Sequence, residues 1–130
     1  MTDALQELRD SITGSLLEVL ESLDAQIGKY RRTEDPDFIL LDSMVADAIM
    51  FIASLPELVT IPSVVIAEDG EIFFEWNITQ RRRCIVGLEG DGYYGYTLKG
   101  NDGHYRSGLY EGRIMEDLPE DLYLFLEGTQ

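Results

Sequence analysis

The sequence predicts an α+β fold in which two N-terminal helices pack on an antiparallel sheet of four or five strands, with a short C-terminal helix. Apolar residues recur every three or four positions up to residue 57, which is typical of helices. After Pro62 the apolar period changes to two, which is typical of strands, and turn sequences follow about every eight to twelve residues. We expect one domain over residues 1–130, with a helical part at 1–57, a sheet part at 62–112 and a helix at 117–127.

The helical part divides into two segments. Residues 1–30 are predicted to form one long helix, because leucine and isoleucine residues form a stripe of helical period along it. Gly14 is its weak point, since glycine costs a helix up to about 1 kcal/mol relative to alanine. A second helix is predicted from about Asp37 to Leu55, where Pro56 ends it.

The second helix is apolar around much of its circumference. Leu40, Met50 and Phe51 lie outside its main apolar stripe. A helix of this kind is either buried between two layers or covered by a partner. A homodimer formed through the stretch from Phe38 to Phe51 is therefore one assembly that the sequence allows.

The sheet part contains five strand-like runs separated by glycine-containing turns. Asp-Gly sequences at 69–70, 91–92 and 102–103 favour hairpins between neighbouring strands. A last helix is predicted from Asp117 to about Leu126, because Pro119 suits a first helical turn. The predicted strands are Ser63–Ala67, Glu71–Asn77, Arg82–Glu89, Tyr93–Lys99 and His104–Tyr110.

Charge and composition exclude several classes of protein. Asp and Glu total 25 against 10 Lys and Arg, which gives a net charge of -15. Direct binding to nucleic acid or to an anionic membrane is not expected, because contacts with phosphates need a basic patch. No apolar run is long enough to span a membrane. A single cysteine, Cys84, and the lack of a secretory pattern at the N-terminus favour a cytoplasmic location.

The residue types that commonly catalyse reactions or bind metals form no recognisable constellation. His104 is the only histidine, and Cys84 lies in a stretch typical of a buried strand. No pair of Cys or His residues has the spacing of metal ligands, and the acidic turns lack the spacing of a calcium-binding loop. We therefore predict no enzymatic activity and no catalytic, cofactor-binding or metal-binding residue.

Aromatic residues in the strands are the first candidates for partner binding. Alternation places Trp76 on one face of its strand, toward the core, and Phe73 on the other, where it could form an exposed apolar contact. Tyr94 and Tyr96 share one face of a later strand. These tyrosines either stabilise the sheet through cross-strand aromatic pairs or contribute to a recognition surface, and we expect both to contact a partner.

Acidic residues near the C-terminus are the second group of candidates. Residues 111–130 contain six acids and one arginine. We expect the partner-binding acids to be Glu116, Asp117, Glu120 and Asp121. The negative charge of this stretch is explained either by solubility or by complementarity to a basic partner.

The second half of the chain resembles that of small uncharacterised bacterial proteins. The residues that carry the resemblance are Pro62, the run Glu68-Asp69-Gly70-Glu71-Ile72-Phe73-Phe74-Glu75-Trp76 and the later Asp91-Gly92 turn. The resemblance implies a bacterial or phage origin. It transfers no activity and no catalytic residue to this chain.

These observations favour an acidic protein-binding module that inhibits or neutralises a basic, nucleic-acid-engaging protein. Antitoxins and phage anti-defence proteins are functional types of this kind, in which carboxylates occupy a basic groove in place of phosphates. One alternative is a small-ligand-binding or enzymatic domain with a pocket between the sheet and the second helix. His104, the arginines at 81–83 and the tyrosines would converge on that pocket. The other alternative is a structural homo-oligomer.

Overall fold

Helices occupy both ends of the chain and an antiparallel sheet occupies its middle. A computed structural model describes residues 4–32, 40–56, 60–79, 82–100, 105–107, 112–114 and 116–127. The helices are α1 (Ala4–Ser11), α2 (Ser15–Arg31), α3 (Asp42–Ser54) and α4 (Glu120–Leu126). The strands are β1 (Ser63–Ile66), β2 (Ile72–Asn77), β3 (Arg83–Leu88), β4 (Tyr93–Lys99), β5 (Tyr105–Ser107) and β6 (Gly112–Arg113).

The first helical segment is broken at Gly14, so the prediction of one continuous helix over residues 1–30 is wrong. Gly14 has φ 64° and ψ -139°, a backbone conformation that is almost confined to glycine. The break allows α1 to pack on α3, while α2 packs along β1. An ion pair of 2.6 Å between Arg9 of α1 and Asp24 of α2 joins the two helices across the break.

The second predicted helix begins later than expected, at Asp42. Leu40 and Leu41 precede it, and Leu41 adopts an extended backbone (φ -77°, ψ 141°) at its N-terminal boundary. The first three positions of the predicted helix, 37–39, which include Phe38, lie outside the described residues. The end of α3 at Ser54, just before Pro56, agrees with the prediction.

The apolar circumference of α3 is explained by its position between the other helices and the sheet. Ala48, Ile49, Phe51 and Ile52 are all buried within the chain. Leu41, at the boundary of the helix, remains 57% exposed. The apolar surface expected to form a homodimer is therefore largely used inside the chain, and the homodimer stays a prediction.

The sheet is an antiparallel meander, as the turn sequences predict, and the α+β class is confirmed. Its strand order is β1-β2-β3-β4-β5, and the short strand β6, which was not predicted, also pairs with β4. Asp69 and Asp91 each accept a hydrogen bond from the backbone N–H two residues later, at Glu71 and Tyr93 (both 3.1 Å). These side-chain contacts explain why the first two turns form where the sequence predicts them. Residues 101–104, which include the third turn and His104, lie outside the described residues.

One face of the sheet, the inner face, packs on the helices and forms the core. Alternate residues of the three central strands are buried there: Ile72, Phe74, Trp76, Cys84, Val86, Leu88, Tyr94, Tyr96 and Leu98. Their neighbours in each strand lie on the opposite, outer face and are half-buried or exposed. The core position predicted for Trp76 is confirmed.

Substitution of Gly14 tests the helix break directly. Gly14→Ala should lower the free energy of unfolding by about 1–3 kcal/mol, because alanine is strained at this φ and ψ. Gly28→Ala is the matched control: Gly28 lies inside α2, and a Cβ there meets Arg32 at an ordinary 3.7 Å. Gly28→Ala should raise the free energy of unfolding by up to about 1 kcal/mol, because alanine favours a helix more than glycine does. Urea denaturation followed by circular dichroism measures both, and stabilisation by Gly14→Ala would contradict the break.

Candidate functional site

The structure buries two of the three aromatic residues expected to bind a partner. Tyr94 is 1% and Tyr96 is 7% exposed, so the expectation that they form an exposed contact is wrong. Both lie on the inner face with Leu98, whereas Thr97 and Lys99 alternate to the outer face. The apolar Leu98 shares the parity of the tyrosines, which is the one feature of the sequence that favours a core position for their face.

Phe73 lies on the outer face, as its parity predicts, where it is half-buried. It is paired with Val65 on β1 and with Gly87 on β3, and Gly87 is paired with Gly95 on β4. A Cβ built on Gly87 would lie 3.0 Å from the Phe73 ring, so the ring rests on the glycine. The role of Phe73 in partner binding stays a prediction.

The four predicted acidic contacts are all exposed and lie close together in the chain around α4. We call this group, Glu116, Asp117, Glu120 and Asp121, the acidic α4 surface. Glu116 pairs with Arg113 at 3.3 Å. Oδ1 of Asp121 accepts a hydrogen bond of 2.6 Å from the hydroxyl of Tyr96 and one of 2.9 Å from the backbone N–H of Leu122.

Phe73 and the acidic α4 surface do not form one site. Helix α4 packs on the inner face of the sheet, where Leu122, Phe125 and Leu126 are buried and Asp121 contacts Tyr96. Phe73 lies on the outer face. A partner that contacts the acidic α4 surface therefore approaches from the helical side of the sheet.

A groove of about 390 Å³ separates the C-terminal end of α3 from α4. We call it the α4 groove. From the α3 side it is lined by Ser54, Leu55 and Pro56. From the α4 side it is lined by Asp117, Leu118, Glu120 and Tyr123. Two members of the acidic α4 surface thus lie at an opening whose remaining lining is largely apolar or aromatic.

Arg82 attaches α4 to the sheet. Its guanidinium is buried, lies 4.6 Å from the centre of the Phe125 ring and donates a 3.3 Å hydrogen bond to the backbone carbonyl of Phe125. A cation at the C-terminal end of a helix is favoured by the helix dipole. Alternation along the strand separates Arg82 from Arg83 and places Arg82 on the buried face of Cys84 and Val86. The expected role of the arginine run was ion pairing with glutamates of adjacent strands, and the contact of Arg82 with Phe125 was not predicted.

Asp47 is a buried carboxylate in the middle of α3, and it fixes the turn between β3 and β4. Its Oδ2 accepts a 2.9 Å hydrogen bond from the backbone N–H of Gly92, which has φ 89°. The contact is structural: it joins the helix layer to the second hairpin. An acid inside an apolar helix was the available signal, because an acid there needs a hydrogen-bond donor.

Cys84 has the properties of a structural thiol. It is buried, and burial, with a smaller contribution from the charge of Asp121, raises the pKa of the thiol to about 12. The reactive thiolate is therefore scarce at neutral pH. Among the described residues, no group of three or more His, Cys, Asp or Glu side chains is arranged to hold a metal ion.

Comparison of the chain with protein-family models, curated proteins and solved structures finds no match. The resemblance to small bacterial proteins therefore stays a prediction. Within the described part of the chain, none of the helices is both long and apolar enough to cross a membrane.

Stability should fall in alkaline solution because three buried acids hold their protons in the folded state. Burial is the main cause that raises the pKa of Cys84 and of Tyr94 to about 12, from ordinary values of 9.0 and 10.0. Burial and the bond to Asp121 also raise the pKa of Tyr96. The unfolded chain therefore releases these protons at lower pH than the folded chain does, so their stabilising effect is complete below about pH 9.

We expect the free energy of unfolding to decrease from about pH 9 to pH 12, by up to about 1.4 kcal/mol per pH unit for each group. Urea denaturation at a series of pH values measures the decrease. In Cys84→Ala the slope between pH 9 and 10 should become shallower, whatever the absolute stability of that variant. A free energy that is constant or rises over this range would show that these groups are not buried in their protonated forms.

Proposed function

We propose that this protein is an acidic protein-binding module that inhibits or neutralises a basic, nucleic-acid-engaging partner. The observation that supports it most is the exposure of the acidic α4 surface beside the α4 groove. Tyr123 and Leu124 of the same helix are 39% and 36% exposed. Interfaces commonly combine apolar and aromatic anchors with charged residues at their rim, and α4 offers both.

The proposed mechanism is competition for a basic surface. A protein that binds nucleic acid carries a patch of Lys and Arg, because it must neutralise phosphates. Carboxylates on a folded acidic protein can occupy that patch and exclude the nucleic acid. The net charge of -15 would accelerate the encounter with such a partner at low ionic strength.

Two contacts give the acidic α4 surface a fixed geometry. Arg82 holds the C-terminal end of α4 through Phe125, and Tyr96 holds Asp121 near its N-terminal end. A surface that is already ordered loses less conformational entropy on binding than a mobile segment does. In this proposal Tyr96 supports the surface from below and does not contact the partner.

The alternative of a ligand pocket between the sheet and the second helix has less support. The rings of Phe51, Phe74 and Tyr94 pack together in that space: the centroids of the Phe74 and Tyr94 rings lie 5.1 and 4.9 Å from that of Phe51.

A location in the cytoplasm of a bacterium, or of a bacterium infected by a phage, remains part of the proposal. The absence of enzymatic activity is likewise a proposal.

Affinity capture from a lysate of the encoding organism, at low and at high salt, tests the proposed function. We expect a basic protein that is retained at low salt and released at high salt, because exposed charges are screened. Added protein should then reduce the binding of that partner to nucleic acid. Retention that does not depend on salt, or a ternary complex with nucleic acid, would contradict the mechanism.

Paired charge variants locate the contact on the protein. Asp117→Asn/Glu120→Gln removes two charges from the acidic α4 surface, and it should weaken capture markedly. Glu18→Gln/Glu21→Gln removes the same charge from exposed positions on α2 and is the matched control. Equal losses in the two variants would mean that net charge, and not this surface, determines binding.

A further inference from the structure

The α4 groove combines three kinds of lining that suit one particular side chain. Leu55, Pro56 and Leu118 supply apolar area, Tyr123 supplies an aromatic ring, and Asp117 with Glu120 supplies negative charge. Its volume of about 390 Å³ is sufficient for one long side chain, and the groove is open to solvent along one side.

We propose that the α4 groove binds an arginine side chain of the partner, an inference that rests on the proposed function and specifies its chemistry. The three methylene groups of arginine match the apolar lining. Its planar guanidinium can stack on the ring of Tyr123 and donate paired hydrogen bonds to a carboxylate. Lysine matches less well, because its ammonium is compact, strongly hydrated and not planar.

The contacts within the chain leave these groove residues available. In the acidic α4 surface, Glu116 is paired with Arg113 and Asp121 is bound by Tyr96. Within the part of the chain that the structure describes, no ion pair engages Asp117 or Glu120. Among the described contacts of this surface, the two carboxylates that line the groove are therefore the two without a partner inside the chain, and they are the ones we expect to take a cation from outside.

Tyr123 is held in place by its own helix. Its hydroxyl bonds to the carboxylate of Glu127, and this bond is the main reason why the pKa of Tyr123 is raised. The ring remains 39% exposed. A tethered, partly exposed ring can receive a guanidinium without first being ordered, so little entropy is lost there on binding.

Titration of the labelled whole protein with short peptides, followed by NMR, tests this inference. The probes are acetyl-Gly-Arg-Gly-Arg-Gly-amide and two counterparts that contain lysine or citrulline in place of arginine. We expect the arginine peptide to shift the amide signals of Leu118 and Tyr123. It should bind about two- to fivefold more tightly than the lysine peptide. The neutral citrulline peptide should produce no saturable shift at these residues.

Variants separate the contribution of each lining. Tyr123→Ala and Glu120→Gln should each lower the affinity for the arginine peptide about two- to fivefold. Tyr123→Phe keeps the ring but removes its bond to Glu127, so it should weaken binding less than Tyr123→Ala does. Glu18→Gln removes a distant charge and should bind as the unaltered protein does. Equal binding of lysine and arginine, shifts confined to another surface, or no effect of Tyr123→Ala would overturn the inference.

The inference and the proposed function can fail separately. If the arginine peptide occupies the groove but no basic protein is captured, the proposed function is wrong and the groove remains an arginine site. If a basic protein is captured, inhibited and equally retained by Tyr123→Ala, while the peptide leaves the groove signals unchanged, the inference alone is wrong.

Discussion

The packing of Phe51 against the sheet is the contact on which the rest of the structure depends. Phe51 is fully buried on α3, and its ring lies 5.1 Å from that of Phe74 on β2 and 4.9 Å from that of Tyr94 on β4. One helical side chain thus contacts two strands that are not neighbours in the sheet. Because side chains alternate along a strand, these contacts fix which face of β2 and β4 is the inner one.

That assignment of faces determines which surfaces are left for function. Tyr94 and Tyr96 become part of the core, and the hydroxyl of Tyr96 reaches Asp121 on α4. Arg82 reaches the other end of the same helix. The acidic α4 surface is exposed but firmly attached, while Phe73 stays on the opposite face. The proposed recognition of a basic partner therefore depends on core residues that the partner does not touch.

The sequence predicts the regular parts of this fold well, because local physics decides them. Alternation and Asp-Gly turns are local, and β1 to β4 lie within a residue of their predicted bounds. The sequence marks Gly14 as the weak point of the first helix, but it does not predict a break there. The helical stripe continues across it, and the tertiary contacts of α1 with α3 compensate for the break. For Tyr94 and Tyr96, the pattern gave their shared face, but it did not by itself decide whether that face is covered.

The functional part was less accessible to sequence reasoning. The acids around α4 stand out in the composition of the chain, and the four that were expected to contact a partner are exposed in the structure. The groove beside them is formed by two segments about 60 positions apart, 54–56 and 117–123, whose approach depends on the whole core. Arg82 and Asp47 were not identified as supporting residues, because the groups they contact, in Phe125 and Gly92, lie 43 and 45 positions away in the sequence and only the fold brings them together.

The measurement that tests this account most directly is a comparison of Gly112→Ala with Gly95→Ala. Gly112 is paired with Tyr94, and a Cβ built there would overlap the Tyr94 ring, whereas a Cβ on Gly95 meets nothing within 4 Å. Gly112→Ala should lower the free energy of unfolding by about 1–3 kcal/mol, and Gly95→Ala should change it by less than about 0.5 kcal/mol. If Gly112→Ala is as stable as Gly95→Ala, Tyr94 does not pack inward over Gly112, and the assignment of the sheet faces is wrong.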